Sequence, residues 1–402
     1  MSRAAAVGIV LAGCVAPAAA PPVYTAPPAE RSPAYAPSPV PAPVAPAPVA
    51  PATPRIVRLS VGEPDCGLDA DGQVWDWSSG AMVHVAPSLR GATQIVCSAG
   101  YTCVTAADGR AACWGNNSYG ALGDGTEITR DAPTTVVGLA DVAEVRAHGS
   151  RTCARTTVGD VYCWGDSEFG KAGDGRMPDN DGREKTAPGA AILHGAVSLA
   201  VAEAHACARL ADGRLSCWGQ NNSFALGQPQ HVRALSRPTV LANRGPAAVV
   251  ATGGSVTCTI DGRGAVACWG RNLDGILGPA GPAHTDWGGR ADALAIPLPE
   301  PALAMVVGTG GQHACAILAS LAVACWGDGE YGELGNAARP LEQRRPSLVA
   351  GLGDVDQIAA SVDATCALDR AGVVWCWGKD VDLRDGSRED ALVPVRVEAA
   401  RE

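Results

Sequence analysis

The sequence lacks an excess of positive charge. Its 402 residues include 31 Lys and Arg against 41 Asp and Glu, which gives a formal net charge of −10, and no long basic run occurs. Proteins that bind nucleic acid or anionic membrane surfaces normally carry a basic patch, because phosphate groups attract Lys and Arg. The composition therefore argues against nucleic acid as a partner.

Familiar catalytic and cofactor motifs are missing as well. Neither a Gly-x-Ser-x-Gly elbow nor a phosphate-binding loop is present. The acidic segment 174–184 holds Asp179, Asp181 and Glu184 at spacings that suit calcium, but it lacks the complete EF-hand pattern. We expect no catalytic residue, no cofactor and no metal, and calcium binding by segment 174–184 stays open as an alternative.

The chain also lacks an apolar run long enough to span a bilayer as a helix. Residues 1–13 combine Arg3 with the short apolar stretch AAAVGIVLAG, as an export signal does. Leu11-Ala12-Gly13-Cys14 resembles the lipobox of bacterial lipoproteins. That resemblance implies cleavage before Cys14, lipidation of its sulfur and, with Val15 following, an outer-membrane or cell-surface location. An ordinary secretory signal is the alternative.

Residues 14–54 contain the lipidated cysteine and then little besides Pro, Ala and Val, as in PSPVPAPVAPAPVAPATP. Proline fixes φ and removes a donor, so such a stretch favours polyproline II and cannot form a packed core. We interpret it as a tether between a lipid anchor and the folded residues 55–402.

Residues 55–402 consist of one repeat copied seven times. Six copies carry Cys-Trp-Gly with a second cysteine ten positions earlier. The six pairs are Cys103 and Cys113, Cys153 and Cys163, Cys207 and Cys217, Cys258 and Cys268, Cys315 and Cys325, and Cys366 and Cys376. A seventh copy runs from Cys66 to Trp77, with Asp76 in place of the second cysteine. First cysteines recur every 37 to 57 residues, which fits one propeller blade or a similar module per copy.

The ten-residue spacing predicts a disulfide across a β-hairpin. In CVTAADGRAAC, a three-residue loop that ends on Gly109 in the left-handed conformation places Cys103 opposite Cys113. Glycine recurs at this loop position in every copy except one, which has Leu321. Zinc ligands usually lie two to four residues apart, and a catalytic thiol needs one distinctive cysteine with a nearby base. The pairs therefore indicate structural disulfides and an oxidising compartment.

Of the fifteen cysteines, Cys66 and Cys97 remain after lipidation and hairpin pairing. Cys66 lost its hairpin partner to Asp76, and Cys97 stands alone at its position in the repeat. We expect a disulfide between these two, which would join neighbouring copies, although sequence alone leaves the connectivity open.

After each tryptophan the copies read GNNSYGALGDG, GDSEFGKAGDG, GQNNSFALGQP, GRNLDGILGPA and GDGEYGELGNA. This pattern resembles the regulator of chromosome condensation repeat, and its cysteine pairs look like those of exported bacterial relatives. The resemblance implies an all-β, seven-bladed propeller from about residue 55 to residue 397. A ring of small sheets buries both faces of each sheet, with tryptophan between blades. We also expect a strand at residues 56–61 to complete the final blade and close the ring.

Candidate functional residues are few. His148, His205 and His313 precede hairpin cysteines, and we interpret them as hydrogen-bonded structural residues. Two long insertions, 176–188 and 279–301, distinguish their copies, and unique loops on a rigid frame commonly carry specificity. The second holds Asp286, Trp287 and Arg290, a candidate partner-binding anchor, although Trp287 packing over its own loop is an equal alternative.

We therefore expect a monomeric, non-enzymatic binding propeller, exported and held at the membrane by its lipid alone, that contacts a protein or a cell-envelope component. Three alternatives stay open: an exported inhibitor of a secreted enzyme such as a β-lactamase, a propeller enzyme acting on polysaccharide, and a nucleotide exchange factor for a small GTPase. Export, disulfides and acidity count against the last of these.

Overall fold

The computed structural model describes residues 54–62, 65–78, 82–86, 89–177, 185–242, 244–281, 288–382 and 388–398. Their strands form seven antiparallel sheets, each a meander of sequential strands, and each sheet is one blade. The chain is an all-β, seven-bladed propeller, as expected. No helix in the described part of the chain is long and apolar enough to cross a membrane.

The strands are numbered in chain order. Blade 1 contains Ile56–Ser60 (β1), Cys66–Asp69 (β2), Val74–Asp76 (β3) and Val83–Val85 (β4). Blade 2 contains Ala92–Ser98 (β5), Tyr101–Ala106 (β6), Ala111–Gly115 (β7) and Arg130–Thr135 (β8). Blade 3 contains Val142–His148 (β9), Arg151–Thr156 (β10) and Val161–Gly165 (β11). Among the described residues of blade 3, single bridges from Val161 to Leu193 and from Gly165 to Lys185 take the place of a fourth strand.

Blade 4 contains Ala196–Val201 (β12), His205–Leu210 (β13), Leu215–Gln220 (β14) and Ala234–Val240 (β15). Blade 5 contains Ala247–Gly253 (β16), Val256–Asp261 (β17), Val266–Gly270 (β18) and Arg290–Ile296 (β19). Blade 6 contains Ala302–Val307 (β20), His313–Leu318 (β21), Val323–Gly327 (β22) and Gln343–Leu348 (β23). Blade 7 contains Val355–Ala360 (β24), Ala364–Asp369 (β25), Val374–Asp382 (β26) and Arg388–Arg396 (β27). Short 3-10 helices lie at Ser118–Gly120, Glu168–Gly170 and Asn222–Phe224.

The cysteine pairs lie in register across the hairpins. Cys103 faces Cys113, and the five other pairs repeat this arrangement, each with a disulfide and a Cα–Cα distance of 4.1 Å. So short a separation is typical of a non-hydrogen-bonded pair, the position at which two strands approach most closely. The loop glycines have positive φ, 77° at Gly109, and Leu321 adopts the same conformation at 65°. A leucine there carries a steric cost of about 1 kcal/mol that glycine avoids.

One backbone hydrogen bond recurs at all seven boundaries between consecutive blades, which we call seams. The carbonyl of the hairpin-loop residue accepts the N–H that opens the inner strand of the next blade. The donor and acceptor pairs are Ala92 to Gly72, Val142 to Gly109, Ala196 to Gly159, Ala247 to Gly213, Ala302 to Gly264, Val355 to Leu321 and Ile56 to Gly372, at 2.8–3.3 Å. The last pair joins blade 7 to blade 1, so the ring closes with the contact used at every other seam.

The expected mode of closure is wrong. β1 pairs with β2 as the inner strand of blade 1, while β27 completes blade 7 by pairing with β26. Blade 7 and blade 1 instead lie side by side, with the Leu59 N–H donating to Gln357 Oε1 at 3.2 Å and Gln357 Nε2 donating to the Val57 carbonyl at 2.8 Å. Each end of the folded region therefore forms a whole blade of its own.

Tryptophan fills most of the seams. The Cys-Trp-Gly tryptophans of blades 3 to 7 are at most 1% exposed, and each indole N–H donates to a loop carbonyl of the preceding blade. The pairs are Trp164 to Ala121, Trp218 to Lys171, Trp269 to Ala225, Trp326 to Ile276 and Trp377 to Glu333, at 2.7–3.1 Å. At three of these seams a threonine donates to the same carbonyl, namely Thr152, Thr257 and Thr365.

A disulfide between Cys66 and Cys97 connects β2 of blade 1 to β5 of blade 2, with a Cα–Cα distance of 6.4 Å. It is the expected pairing of the two remaining cysteines. Blade 1 has the shortest strands in the ring and no hairpin disulfide, since Asp76 faces Cys66. The disulfide across the seam therefore fastens to blade 2 the blade whose own strands are the shortest and lack a disulfide between them.

Candidate functional site

The two faces of the ring differ in their loops. The hairpin loops between the second and third strands lie on one face, which we call the hairpin face. The Trp-Gly-x-Asn loops follow the third strands and lie on the other, the loop face, where both long insertions begin; the second insertion runs on through β19. Sequence variation among the blades is thus concentrated on the loop face.

A central cavity of about 760 Å³ lies between the inner strands of the seven blades. Seven residues at equivalent register line it near the hairpin face. They are Arg58, Gln94, Glu144, Ser198, Val249, Ala304 and Gln357. Five of the seven are polar and the two from blades 5 and 6 are apolar, so the cavity has a polar side and an apolar side.

The cavity lining holds three arginines, Arg58, Arg146 and Arg209, against two acids, Glu144 and Asp356, an excess of one positive charge. Glu144 is 5% exposed and binds both Arg146 at 2.9 Å and Arg155 at 3.0 Å. Arg209 also lines the cavity, and its Nε is buried without a partner, as are Gln94 Oε1 and Thr252 Oγ1. Buried polar atoms normally have a hydrogen-bond partner. This set can hold a polar ligand, and it contains no base poised beside a nucleophile.

On the loop face, one position of the repeat displays aromatic side chains. Tyr119 in blade 2 is 47% exposed and Phe169 in blade 3 is 44% exposed. Tyr331 occupies the same position in blade 6, partly exposed, with Lys379 Nζ 4.5 Å from its ring centroid. Sequence reasoning missed these residues, although aligning the loops by their Trp-Gly start places all three in one column.

The backbone at this position does not call for an aromatic residue. Tyr119 and Phe169 have positive φ of 67° and 53°, and Ser223 has 48° at the same place in blade 4. Blades 2, 3 and 4 therefore share this conformation whatever the side chain, whereas Tyr331 in blade 6 does not have a positive φ. A small residue adopts a positive φ with less steric cost than a bulky one. Since nearly half of each of these two side chains is also exposed, packing alone does not explain them.

The predicted anchor is described only in part. Arg290 is exposed at the start of β19 on the loop face, whereas Asp286 and Trp287 lie outside the described residues. Asp179, Asp181, Glu184 and Cys14 also lie outside them. In the part of the chain that the structure describes, no group of three or more His, Cys, Asp or Glu residues is placed to hold a metal ion.

The regulator of chromosome condensation (RCC1) repeat model matches residues 108–155, and a second model of this repeat matches residues 92–121 and 197–224. These segments lie in blades 2, 3 and 4 of the seven-bladed ring. The chain is an RCC1-like repeat propeller. The resemblance of the loop sequences to this repeat is thereby confirmed.

Known proteins agree with this assignment. The chain is 30% identical over 200 residues to the mitochondrial RCC1 domain-containing protein RUG3 of Arabidopsis thaliana, covering 46% of this chain and 40% of that protein. It is 29% identical over 222 residues to Protein pim1 of Schizosaccharomyces pombe, covering 48% and 38%. The matches thus span less than half the length of either relative.

Solved propellers share the fold. Human WBSCR16 superposes with a TM-score of 0.69 at 20% identity, covering 79% of this chain and 84% of that one. Prp20p of Saccharomyces cerevisiae, described with its binding to Gsp1p and histones, superposes with a TM-score of 0.65 at 17% identity, covering 76% and 80%.

Two of the three candidate histidines of the RCC1-like propeller bond a neighbouring blade. His205 Nε2 lies 2.6 Å from Thr257 Oγ1, and His313 Nε2 lies 2.8 Å from Thr365 Oγ1, each across a seam. Burial lowers the pKa of His205 to about 3 and that of His313 to about 4, so both rings are neutral at physiological pH. A fully buried, neutral imidazole that bonds a neighbouring blade serves packing rather than proton transfer.

His148 does not share this position. It ends β9, whereas Arg151 occupies the register place of His205 and His313. The Arg151 guanidinium is 2% exposed and donates across the seam to carbonyls of blade 4, those of Ala202 and, at 3.1 Å, His205. Burial lowers its pKa to about 10, an effect that Asp166 opposes. Aligning the repeats on their first cysteine, which lies two residues after this position, would have identified Arg151 as the equivalent of the two histidines.

A carboxyl pair lies in the repeat loop of blade 6. Asp328 and Glu333 occupy the positions that Asp166 and Lys171 hold in blade 3, where Lys171 Nζ lies 2.5 Å from Asp166 Oδ2. Burial, with a further contribution from the Asp328 carboxylate, raises the pKa of Glu333 to about 7. Where blade 3 has a salt bridge, blade 6 thus has two acidic side chains at the same positions.

Glu333→Gln is expected to stabilise the propeller at pH 8. The folded pKa of Glu333 lies above its ordinary value of 4.5, so the folded state holds this proton more tightly than the unfolded state. Its contribution to stability is complete below pH 4.5 and is lost as the pH rises through 7. Removing the charge should raise the free energy of unfolding at pH 8 by about 1 to 2 kcal/mol, a part of what a pKa shift of this size corresponds to.

Denaturant unfolding at pH 4, 6 and 8 measures this effect, with exposed Glu127→Gln as the matched control. The neighbouring groups Asp328, Glu330, Asp363 and Lys379 stay unchanged in both variants. An equal gain for both variants, or a gain that does not grow with pH, would contradict the assignment.

Proposed function

We propose that this RCC1-like propeller is an exported, non-enzymatic binding module whose loop face contacts a protein partner of the cell envelope. The observation that carries the proposal is the exposed aromatic column of Tyr119 and Phe169. Exposed aromatic side chains are enriched at protein interfaces, because they bury a large area with little conformational entropy to lose. Here they stand on a rigid disulfide-linked ring, in a conformation that disfavours them.

The disulfides support export. Seven disulfides in one domain indicate folding in an oxidising compartment. We further propose a lipid at Cys14 with residues 15–54 as tether, on the strength of the Leu11–Cys14 motif and the proline-rich composition. At about 3.1 Å per residue such a tether reaches on the order of 100 Å.

Photo-crosslinking in intact cells tests the binding role. The full chain is expressed with p-benzoylphenylalanine at position 119 or 169 on the loop face, or at position 158 on the hairpin face. Val158 is 76% exposed, which makes it a matched control. The loop-face positions should give a discrete adduct that mass spectrometry identifies, and position 158 should not. Adducts of equal yield from both faces, or none from the loop face, would refute the proposal.

Cys14→Ala is expected to release the protein from the membrane fraction while the propeller stays folded. Lipidation concerns residue 14, and every disulfide in the folded region lies beyond it. Cell fractionation and non-reducing electrophoresis measure the two properties separately. A processed Cys14→Ala protein that remains membrane-bound would show that another feature anchors it.

A further inference from the structure

The seam between blades 1 and 2 differs from the five seams filled by tryptophan. Trp114 and Thr102 occupy the places of Trp164 and Thr152, the pair that donates to one loop carbonyl at the next seam. Yet Trp114 is partly exposed, and none of the described residues accepts a hydrogen bond from its indole N–H. Five residues, 78–82, connect Trp77 to β4, whereas fourteen residues, 116–129, connect β7 to β8 in blade 2.

The seam between blades 2 and 3 shows which groups pack against a seam tryptophan. There the Ala121 carbonyl accepts both hydrogen bonds, and Leu122 is fully buried beside it. Gly123 follows, so close to the Trp164 indole that an added Cβ would lie 2.6 Å from Nε1. The element that covers a seam tryptophan is therefore a carbonyl, an aliphatic side chain and a glycine in succession. The segment SSGAM at residues 78–82 contains no Leu-Gly pair.

Between the described residues of blades 1 and 2, this seam has room for the aliphatic side chain. A cavity of about 120 Å³ opens beside Trp114, lined mainly by apolar and backbone groups, among them Val74, Val85 and Tyr101, and also by Thr102 and Asp76. Its volume suits one side chain rather than a whole small-molecule ligand. The Cys66–Cys97 disulfide holds the two walls together, so the cavity is preformed.

We propose that this seam is a docking site for a turn of a partner polypeptide that presents the sequence x-Leu-Gly. The carbonyl of residue x accepts from Trp114 Nε1 and from Thr102 Oγ1, whose hydroxyl turns away from Cys97 Sγ, its partner at 3.3 Å in the free chain. The leucine enters the cavity, and the glycine lies against the indole. The partner thereby supplies the element that each of blades 2 to 6 supplies to its own neighbour. This inference does not depend on the role of Tyr119 and Phe169.

The test uses a peptide with the chain's own loop sequence, Tyr-Gly-Ala-Leu-Gly-Asp-Gly, and the full chain labelled with 5-fluorotryptophan. The Trp114 ¹⁹F resonance is assigned by its loss in Trp114→Phe. It should show a D₂O isotope shift in the free protein and should move on peptide addition with a Kd of about 1 mM, as expected for a short flexible ligand. The Trp164 resonance should stay unchanged. A control peptide with Asp in place of Leu should give no shift.

Saturation-transfer NMR on the peptide leucine methyls then compares variants. Trp114→Phe and Thr102→Val should each weaken binding about 3- to 10-fold, the effect of one hydrogen bond. Trp375→Phe, which removes an indole bond to Asp369 in blade 7, should leave binding unchanged. Absence of the isotope shift would show that the chain itself covers Trp114. That result, equal binding of the Asp peptide, or unchanged binding by Trp114→Phe would overturn the proposal.

Discussion

Trp164→Ala is expected to lower the free energy of unfolding by about 3 to 5 kcal/mol, the cost typical of truncating a fully buried tryptophan. The side chain is 0% exposed between blades 2 and 3, where it packs with Leu122, Val136 and Val142. Its loss opens a cavity in the seam and leaves the Ala121 carbonyl with Thr152 as its remaining side-chain donor. Chemical denaturation with the disulfides intact measures the change.

Trp114→Ala is the matched control, because Trp114 occupies the same register place in an identical Cys-Trp-Gly motif. It is partly exposed and has no described hydrogen-bond acceptor, so its removal should cost less, about 1 to 2 kcal/mol. Equal losses for the two variants would mean that Trp114 is as well covered as Trp164. That outcome would also remove the basis of the proposed docking site.

Replacing both Cys66 and Cys97 with serine is expected to lower the free energy of unfolding by about 2 to 4 kcal/mol, because the bond closes a long loop in the unfolded chain. The two residues are 31 positions apart and both are buried. Blade 1 has no disulfide within its own hairpin, so among the described residues this bond is the one cross-link that ties it to blade 2 besides the chain itself. The six hairpin disulfides should persist, which non-reducing peptide mapping will show.

The control is the double serine variant of Cys258 and Cys268, whose bond spans ten positions within one hairpin. A disulfide that closes a shorter loop removes less conformational entropy from the unfolded chain and therefore stabilises the folded state less. The hairpin strands also stay paired by their backbone hydrogen bonds. We expect a smaller loss than for the bond across the seam. A larger loss from the hairpin variant would show that blade 1 is held chiefly by packing.

Local interactions account for what sequence reasoning predicted well. Cys103 and Cys113 are ten residues apart, and Gly109 between them determines the turn, so strand pairing and disulfide follow from one short segment. Copying that segment around the chain gives the blade count, and the Trp-Gly loops point to the RCC1-like repeat. The bond between Cys66 and Cys97 is the expected pairing, although the sequence alone left its connectivity open.

The sequence by itself thus determined the hairpins, their disulfides and the number of blades, because each depends on contacts within one repeat. Only the tertiary structure decided how the ring closes, since β1 can satisfy the same hydrogen bonds in blade 1 or in blade 7. It also decided which polar side chains meet in the central cavity and which seam tryptophan stays partly exposed. Those features depend on residues from different blades, such as Arg209 and Gln94, whose proximity arises only when all seven sheets are assembled.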